Sequence, residues 1–346
     1  MSKCFSFSLR SLFAEGFELT EKSDPKPSIV AVTGASGFLG QAIVKRLMGS
    51  GMTVIAVGRG GAEESDCPGI SSKKVDYEDG ESIALAIRGA TAIVHCAGIA
   101  HVHMVDRSGD LYARVNRDYT LRLWRAATLQ GCESFVFVSS VKAYGEDMGE
   151  VSVNEDSACR PQTAYGISKL EAEKGLRDAC VVDTPRLSIL RLPPMYGPGM
   201  KGAIRHLFWA ARWHLPLPIW GIRAQRSVLS VENAARLVEF ILRSGGGVTG
   251  NAMLYAPHEP EVLTPGELYN RIYRAIHGRD IPRWLRWPTP RWLEVLLVRS
   301  QKLQALTQSL KIQSKYSETY KSAGFSPIDE CLKAVVELRE PPDVHQ

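Results

Sequence analysis

Thr33-Gly-Ala-Ser-Gly-Phe-Leu-Gly40 lies between a short apolar run, Ile29-Val-Ala-Val32, and a segment, Gln41–Gly49, whose Ala42, Ile43, Leu47 and Met48 share one side of a helix. A β-branched run of that length reads as a buried strand. Glycines at 34, 37 and 40 let backbone come close to a pyrophosphate. The helix that follows offers unpaired N–H groups and the positive end of its dipole. Few folds accept strand, glycine turn and helix in immediate succession. The arrangement predicts a dinucleotide site in a βαβ unit, with a merely structural turn as the alternative. The spacing is Gly-x-x-Gly-x-x-Gly, not the commoner Gly-x-Gly-x-x-Gly.

The same alternation continues along the chain. Strands are expected at Thr53–Val57, near Lys74-Val75, and at Ala92–Cys96, Ser134–Ser139 and Arg186–Leu192. Helices are expected at Glu81–Arg88, Asp110–Gln130 and Ala164–Ala179. Strands alternating with helices predict right-handed crossovers and an α/β fold: a Rossmann-type doubly wound parallel sheet with a smaller, mainly helical substrate lobe. Beyond Arg191 the pattern is broken by Pro193, Pro194, Pro198, Gly199, Pro216 and Pro218. The expected organisation is an N-terminal extension at 1–28, a dinucleotide-binding domain at 29–190, a substrate lobe at 191–338 and a tail at 339–346. Ser227–Val231 reads as a strand returning to the sheet, so the two parts interleave.

Composition narrows the setting. With 346 residues, 45% of them hydrophobic and 23% charged, the chain is long enough for one large or two modest domains. A net charge of +5 suits a phosphate-bearing ligand, although ordinary surface cations explain it equally well. There is no Lys/Arg block, so no nucleic-acid partner is expected. Seven scattered cysteines without a Cys-x-x-Cys argue against a zinc site or a disulfide framework and for a reducing, cytoplasmic setting. His101 and His103 form a His-x-His with no convincing further ligands, so no metal is expected. No apolar run approaches the ~18 residues of a membrane span. Met1–Ser28 lacks the apolar core of a signal peptide, Phe5–Phe17 being broken by Arg10 and Glu15.

Three further features carry chemistry. Tyr165 and Lys169 stand four residues apart on a predicted helix and share one face. An ammonium beside a phenol favours the phenolate, which would bring Tyr165 down from a pKa near 10 and make it a proton donor or acceptor. Taken alone this pair is more often a solvated helix face. Ser139-Ser140 ends an apolar strand, where open α/β sheets bind ligands. Arg59 ends the second strand, where NAD-preferring sites carry an acid for the ribose 2′-hydroxyl; a guanidinium there suits a 2′-phosphate. The alternative is a solvated surface arginine.

The ordered set Thr33–Gly40, Asp76, Ala97-Gly98, Asn116, Ser139-Ser140, Tyr165/Lys169 and Arg191…Tyr196-Gly197-Pro198-Gly199 resembles the extended short-chain dehydrogenase/reductases, and within them the NAD-dependent epimerase/dehydratase family. The similarity runs roughly from Ile29 to Leu338. The resemblance implies NADP or NAD as cofactor. Gly34, Ser36, Gly37, Phe38, Leu39 and Gly40 would bind it, the glycines holding its pyrophosphate. Arg59 would sit at its ribose, Asp76 at its adenine, and Ala97 and Gly98 along its path. Asn116 would order the central helix. Ser140, Tyr165 and Lys169 would be catalytic: the serine bonding the substrate oxygen, the tyrosine exchanging its proton, the lysine holding the nicotinamide ribose. Arg226 corresponds to a family arginine that pairs with the nucleotide diphosphate. Lys142 and Lys201 are further candidates for substrate contact, with a surface role as the alternative for Lys142.

The chain also departs from the pattern. Val141 and Lys142 stand where the family's dehydratases carry Asp-Glu, so water elimination is not expected. Pro194 replaces a frequent asparagine. What the resemblance then implies is a nucleotide-sugar oxidoreductase working at hexose C4. The foremost expectation is reduction of a UDP-4-keto-6-deoxy-N-acetylhexosamine in bacterial surface polysaccharide (O-antigen, lipopolysaccharide) biosynthesis. The alternative is a UDP-glucose or UDP-N-acetylglucosamine 4-epimerase with tightly bound NAD. A non-catalytic cofactor sensor and a steroid-type dehydrogenase rank below both. A homodimer is expected. Arg283-Trp284-Leu285-Arg286-Trp287 and Arg291–Val298 are basic and aromatic. Packing on the small lobe or on a neighbouring subunit is the favoured reading, and peripheral contact with the inner membrane through 283–298 is the other.

Overall fold

The computed structural model describes residues 29–60, 69–100, 110–149, 151–244, 250–290 and 308–338. The N-terminal extension, His101 and His103, Arg291–Val298 and the tail at 339–346 lie outside the described residues. The chain divides into two compact units. One takes in the described residues of Met1–Ala143 with Pro161–Arg191 and Ala234–Tyr255; the other is Tyr144–Arg160, Leu192–Asn233 and the described residues of Ala256–Gln346.

The first unit is built on seven strands: β1 (Ile29–Thr33), β2 (Thr53–Gly58), β3 (Ile70–Lys74), β4 (Ala92–His95), β5 (Ser134–Ser140), β6 (Arg186–Leu192) and β7 (Met253–Tyr255). They form one parallel sheet in the order β7-β6-β5-β4-β1-β2-β3. The inner strands are apolar except near their ends: Val30, Ala31, Val32, Ile93 and Val94 are fully buried, as expected where helices cover both faces. The order reverses between β1 and β4, whose register pairs Thr33 with His95. Chain leaving the carboxyl ends of these two strands lines the crevice where such sheets bind ligands. β7 has only three residues and was not expected. Ser227–Val231 does not return to this sheet: Leu229–Ser230 pairs instead with Met195–Tyr196 in a separate ladder. Prolines 193 and 194 end the alternating apolar pattern just before that ladder, which is too short to show a period.

Helices α1 (Phe38–Gly49), α2 (Gly80–Ala86), α3 (Tyr119–Leu129) and α4 (Ala164–Asp178) accompany the strands. α1 begins three residues before its apolar periodicity because Gly37 is its N-cap. α2 is capped by Asp79, whose carboxylate accepts from Glu81 N at 2.9 Å, and α4 by Thr163, whose hydroxyl accepts from Gly166 N at 3.1 Å. The expected helix over 110–130 is not regular. A short α-turn, Asp110–Tyr112, passes into a π-helical stretch, Ala113–Asp118, before α3 begins. Such insertions change which side chains face inward and recur at functional sites.

In the second unit, helices Ala203–Arg212, Pro265–His277 and Ile328–Glu337 pack together. Pro265–His277 starts with a reciprocal Thr264/Glu267 capping box and ends on the left-handed Gly278. Short ladders leave many backbone N–H groups without regular partners, and two buried carboxylates take several of them. Glu155 accepts from Ala256 N and Lys315 N, each at 3.1 Å, and from the Ser314 hydroxyl. Glu259, with no exposed surface, accepts from Ser230 N at 2.8 Å, Asn233 Nδ2 at 3.2 Å and the Tyr196 hydroxyl at 3.2 Å. Burial pushes the Glu259 carboxyl above its ordinary pKa, against those three donors. Tyr196, of the Tyr-Gly-Pro-Gly motif, is therefore a pillar of this network.

Candidate active site

The glycine turn departs directly from β1. Gly34 has φ +67°, in the left-handed region, and a Cβ there would stand 2.8 Å from Ala97 N. At Gly40 a Cβ would fall 2.1 Å from Gly34 O. The turn is thus folded back on itself and against the chain leaving β4, which leaves no room for side chains. Gly37 offers α1 no side-chain cap and the first turn holds no acid, so the helix N-terminus presents its N–H groups unopposed. Ser36 is exposed; Phe38 is half-buried and Leu39 buried in the helix's inner face. This cradle fits a dinucleotide pyrophosphate. Arg59 is exposed one residue beyond β2, and its charge acts on the Tyr77 phenol, beside Asp76. Asp76 is exposed after β3, and its Oδ1 accepts from Glu78 N at 2.9 Å. Arg59 and Asp76 therefore share the edge of the sheet formed by β2 and β3.

Tyr165 sits in the first turn of α4 because of one close approach. At Gly166 a Cβ would come 2.6 Å from Lys142 O, so only glycine lets α4 pack against the 3₁₀ turn Val141–Ala143 that follows β5. That contact brings the Tyr165 phenol into hydrogen bonding with Ser140. The Ser140 hydroxyl, 9% exposed, also accepts from Lys142 N at 3.2 Å. Ser139, buried beside it, donates instead to Glu173 Oε1, two turns farther along α4, at 2.5 Å.

The lysine behaves differently from the expectation. Lys169 Nζ donates to Val138 O at 2.9 Å and lies 4.8 Å from the Phe137 ring centroid. Burial brings its pKa down to about 8, Cys96 and Glu173 opposing the shift. Tyr165 is not lowered. Burial holds its phenol above 10, the Ser140 hydrogen bond opposing this and the neighbouring Tyr112 adding to it. With the ammonium engaged by a backbone carbonyl, desolvation decides the tyrosine.

Gly98 and Asn116 close the group. A Cβ on Gly98 would meet Asn116 Oδ1 at 2.9 Å and Lys169 Nζ at 3.4 Å. Asn116, fully buried in the π-helical stretch, accepts from Ile99 N at 2.9 Å and donates to Ile99 O and Ser168 Oγ, each at 3.0 Å. Ser168 Oγ in turn donates to Tyr165 O at 2.9 Å. The structure thus gathers Gly98, Asn116, Ser140, Tyr165 and Lys169 in the first unit. Lys142 is half-buried there. Lys201 and Arg226 belong to the second unit. Lys201 is exposed ahead of helix Ala203–Arg212. Arg226 is half-buried, its backbone exchanging hydrogen bonds with Leu263 at 3.0 and 3.1 Å. Burial lowers its guanidinium from the usual range, Asp147 opposing.

Residue reasoning missed His95, which is 1% exposed. Its Nδ1 lies 2.6 Å from Thr33 Oγ1 and its Nε2 2.9 Å from Thr120 Oγ1. The proton positions follow from the ends of the chain. Thr120 donates to Asn116 O at 2.8 Å, so its oxygen must accept from His95 Nε2–H. Nδ1 then accepts from Thr33, whose oxygen accepts from Ala97 N at 3.2 Å. One directed relay therefore links the start of the glycine turn to Asn116. The only sequence signal was a lone histidine in the run Ala92-Ile-Val-His-Cys96. Burial holds His95 down to about pH 3, with Lys169 contributing. An unfolded histidine titrates near 6.5. The folded chain therefore resists protonation, and stability should fall as pH drops from 6.5 toward 3, by up to about 1.4 kcal/mol per pH unit. Denaturation of wild type and His95→Val across that range checks this. The variant should lose ~1–3 kcal/mol at neutral pH, from the two stranded hydroxyls, and show a shallower acid slope. An unchanged slope would contradict the assignment.

Comparison with known proteins bears on this site as a whole. The description of the NAD dependent epimerase/dehydratase family matches residues 30–253. The chain is 29% identical over 312 residues to the UDP-glucose 4-epimerase of Vibrio cholerae, covering 87% of this chain and 91% of that protein. It is 28% identical over 267 residues to the ceramide reductase of Caulobacter vibrioides, covering 76% and 74%. Among solved structures, the UDP-N-acetylglucosamine 4-epimerase from Bacillus cereus superposes with a TM-score of 0.68 over 90% of this chain and 99% of that one, at 21% identity, a likeness of fold.

Proposed function

The chain belongs to the NAD dependent epimerase/dehydratase family, and from that premise we propose that it reduces the 4-keto group of a UDP-linked sugar, a UDP-4-keto-6-deoxy-N-acetylhexosamine, using NADPH. The observation that carries this reading is Arg59. It is the exposed residue at the end of β2, its charge reaches Tyr77 beside Asp76, and a guanidinium suits a 2′-phosphate. The nicotinamide, when bound, supplies the hydride to carbon 4. Gly34, Gly37 and Gly40 with the N-terminus of α1 would hold the pyrophosphate. Tyr165 then delivers the proton to the C4 oxygen. Its pKa above 10 keeps the phenol loaded with that proton, the starting state that carbonyl reduction requires. Ser140 hydrogen-bonds the same oxygen and supports the charge developing on it. Lys169 would exchange Val138 O for a ribose hydroxyl, and Arg226 would pair with the substrate diphosphate. Val141 and Lys142 supply no carboxyl pair for elimination. Among the described residues, Cys96, Cys132, Cys159, Cys180 and Cys331 are reduced and form no disulfide, which supports a cytoplasmic setting, where precursors of surface polysaccharide are made.

A second reading, 4-epimerisation of a UDP-hexose, is favoured by the Vibrio relative, which matches along 87% of this chain. A reductase consumes its reductant and must exchange its nucleotide; a 4-epimerase is redox-neutral and retains it. Mass spectrometry of the purified, denatured protein separates the two. The expected result is little retained nucleotide, with NADPH oxidised only when a 4-keto nucleotide sugar is added. Stoichiometric NAD with interconversion of UDP-hexoses would establish the epimerase instead.

A further inference from the structure

Among the described residues of the second unit, four tryptophans are more than half exposed: Trp209 (55%), Trp213 (59%), Trp284 (69%) and Trp287 (54%). Tryptophan is highly buried on average, so four such rings in one unit need a partner. Two stand in or beside helix Ala203–Arg212. That helix spends Ile204, Leu207, Phe208, Ala210 and Ala211 on its own unit's core, packed with helix Pro265–His277. At helical spacing Arg205, Trp209, Arg212 and Trp213 fall on the remaining face, and all four are exposed. The other two tryptophans stand on a segment tied to the stretch of chain that follows this helix. Leu217 bridges Arg286, and Trp220 N donates to Trp287 O at 3.4 Å. Trp287 Nε1 donates to Trp284 O at 3.0 Å, and the Arg286 guanidinium lies 5.0 Å from the Trp220 ring centroid.

The charge on these segments has one sign. Residues 201–223 hold Lys201, Arg205, Arg212 and Arg223 and no Asp or Glu; residues 281–290 hold Arg283 and Arg286 and again no Asp or Glu. All six cations are exposed. Asp280, just outside, is paired with Arg274 at 2.5 Å.

We propose that this tryptophan–arginine face docks on the surface of an anionic phospholipid bilayer. An indole has an apolar body and one N–H, and it settles at the headgroup level. Arginines between the rings meet the negative surface potential. The face does not suit a second copy of the chain. A two-fold contact sets a patch against itself, and here it would oppose cations with cations. Because the helix's apolar face is already used, the contact is shallow and peripheral. No helix among the described residues is long and apolar enough to cross a membrane.

The test is sedimentation of the full-length protein with vesicles of phosphatidylcholine alone or mixed equally with phosphatidylglycerol. Binding is expected to the mixed vesicles only and to weaken with salt. Arg205→Ser and Arg212→Ser should each cut the partition coefficient roughly fivefold (about 1 kcal/mol). Trp209→Ser combined with Trp284→Ser should abolish binding while the thermal midpoint and nucleotide-sugar turnover stay unchanged. Equal binding to neutral vesicles, or binding indifferent to the tryptophan changes, would overturn the proposal. So would self-association or retention on single-stranded DNA that those changes abolish, if vesicle binding is absent.

Discussion

Tyr165→Phe is expected to lower kcat by ~10²–10⁴-fold while leaving nicotinamide nucleotide binding within a few-fold of wild type. The change deletes one oxygen. That oxygen is the group hydrogen-bonded to Ser140, and its proton is the one the proposed reaction consumes. The ring stays, with its edge-on contact to Tyr112 at 6.2 Å between centroids. α4 keeps its Thr163 cap and the Ser168 hydroxyl keeps Tyr165 O, because neither uses the phenol. A loss of this size corresponds to about 3–5 kcal/mol of transition-state stabilisation. Steady-state kinetics beside a fluorescence titration of the nucleotide checks it. Turnover within tenfold of wild type would remove Tyr165 from the proton transfer. An equal collapse of nucleotide affinity would mean that the residue shapes the site instead of reacting in it.

Glu173→Ala should cost ~3–5 kcal/mol of stability, a large part of the ~5–15 kcal/mol available to a folded domain. Glu173 on α4 and Arg191 on β6 are 1% and 3% exposed. The guanidinium makes contacts of 3.0 Å through Nε and 2.6 Å through Nη2, and Ser139 on β5 donates to the same carboxylate. Removing the acid takes away, in one step, the carboxylate that a buried guanidinium and a buried hydroxyl both donate to. Glu173→Leu with Arg191→Met should recover much of the loss, since a buried pair replaced by apolar residues of similar volume is often tolerated. Urea denaturation of the three proteins decides it. A single-variant loss below about 1 kcal/mol would show that the pair is far better solvated than its geometry implies.

The parts of this site that were readable in the chain are local. Tyr165 and Lys169 share a face because they are four apart on one helix, and Gly34, Gly37 and Gly40 lie in one turn. Ser139 and Ser140 were read together, yet they meet different parts of α4: Ser140 the Tyr165 phenol near its start, Ser139 the Glu173–Arg191 pair two turns on. The helix expected as a continuous run from 110 to 130 contains a π-helical stretch that apolar periodicity does not report. His95 looked like one more residue of a buried strand. Arg191, noted only as part of a motif, turned out to hold a buried carboxylate. The tryptophans at 209 and 213 drew no notice, because an amphipathic helix reads as packed on its apolar side whatever its outer face carries.

By itself the sequence determined the class of fold, and it located the glycine turn and the Tyr165/Lys169 pair, because each rests on a repeat of two residues, a helical turn, or a few glycines in succession. Only the tertiary structure decided that Lys169 holds Val138 O and that burial raises the Tyr165 phenol instead of the lysine lowering it. Only it decided that Thr33, His95, Thr120 and Asn116 form one directed relay, and that four tryptophans among the described residues face solvent. Those outcomes depend on desolvation and on distances between segments far apart in the chain. Such quantities have no value until the sheet order is set and the helices are in place.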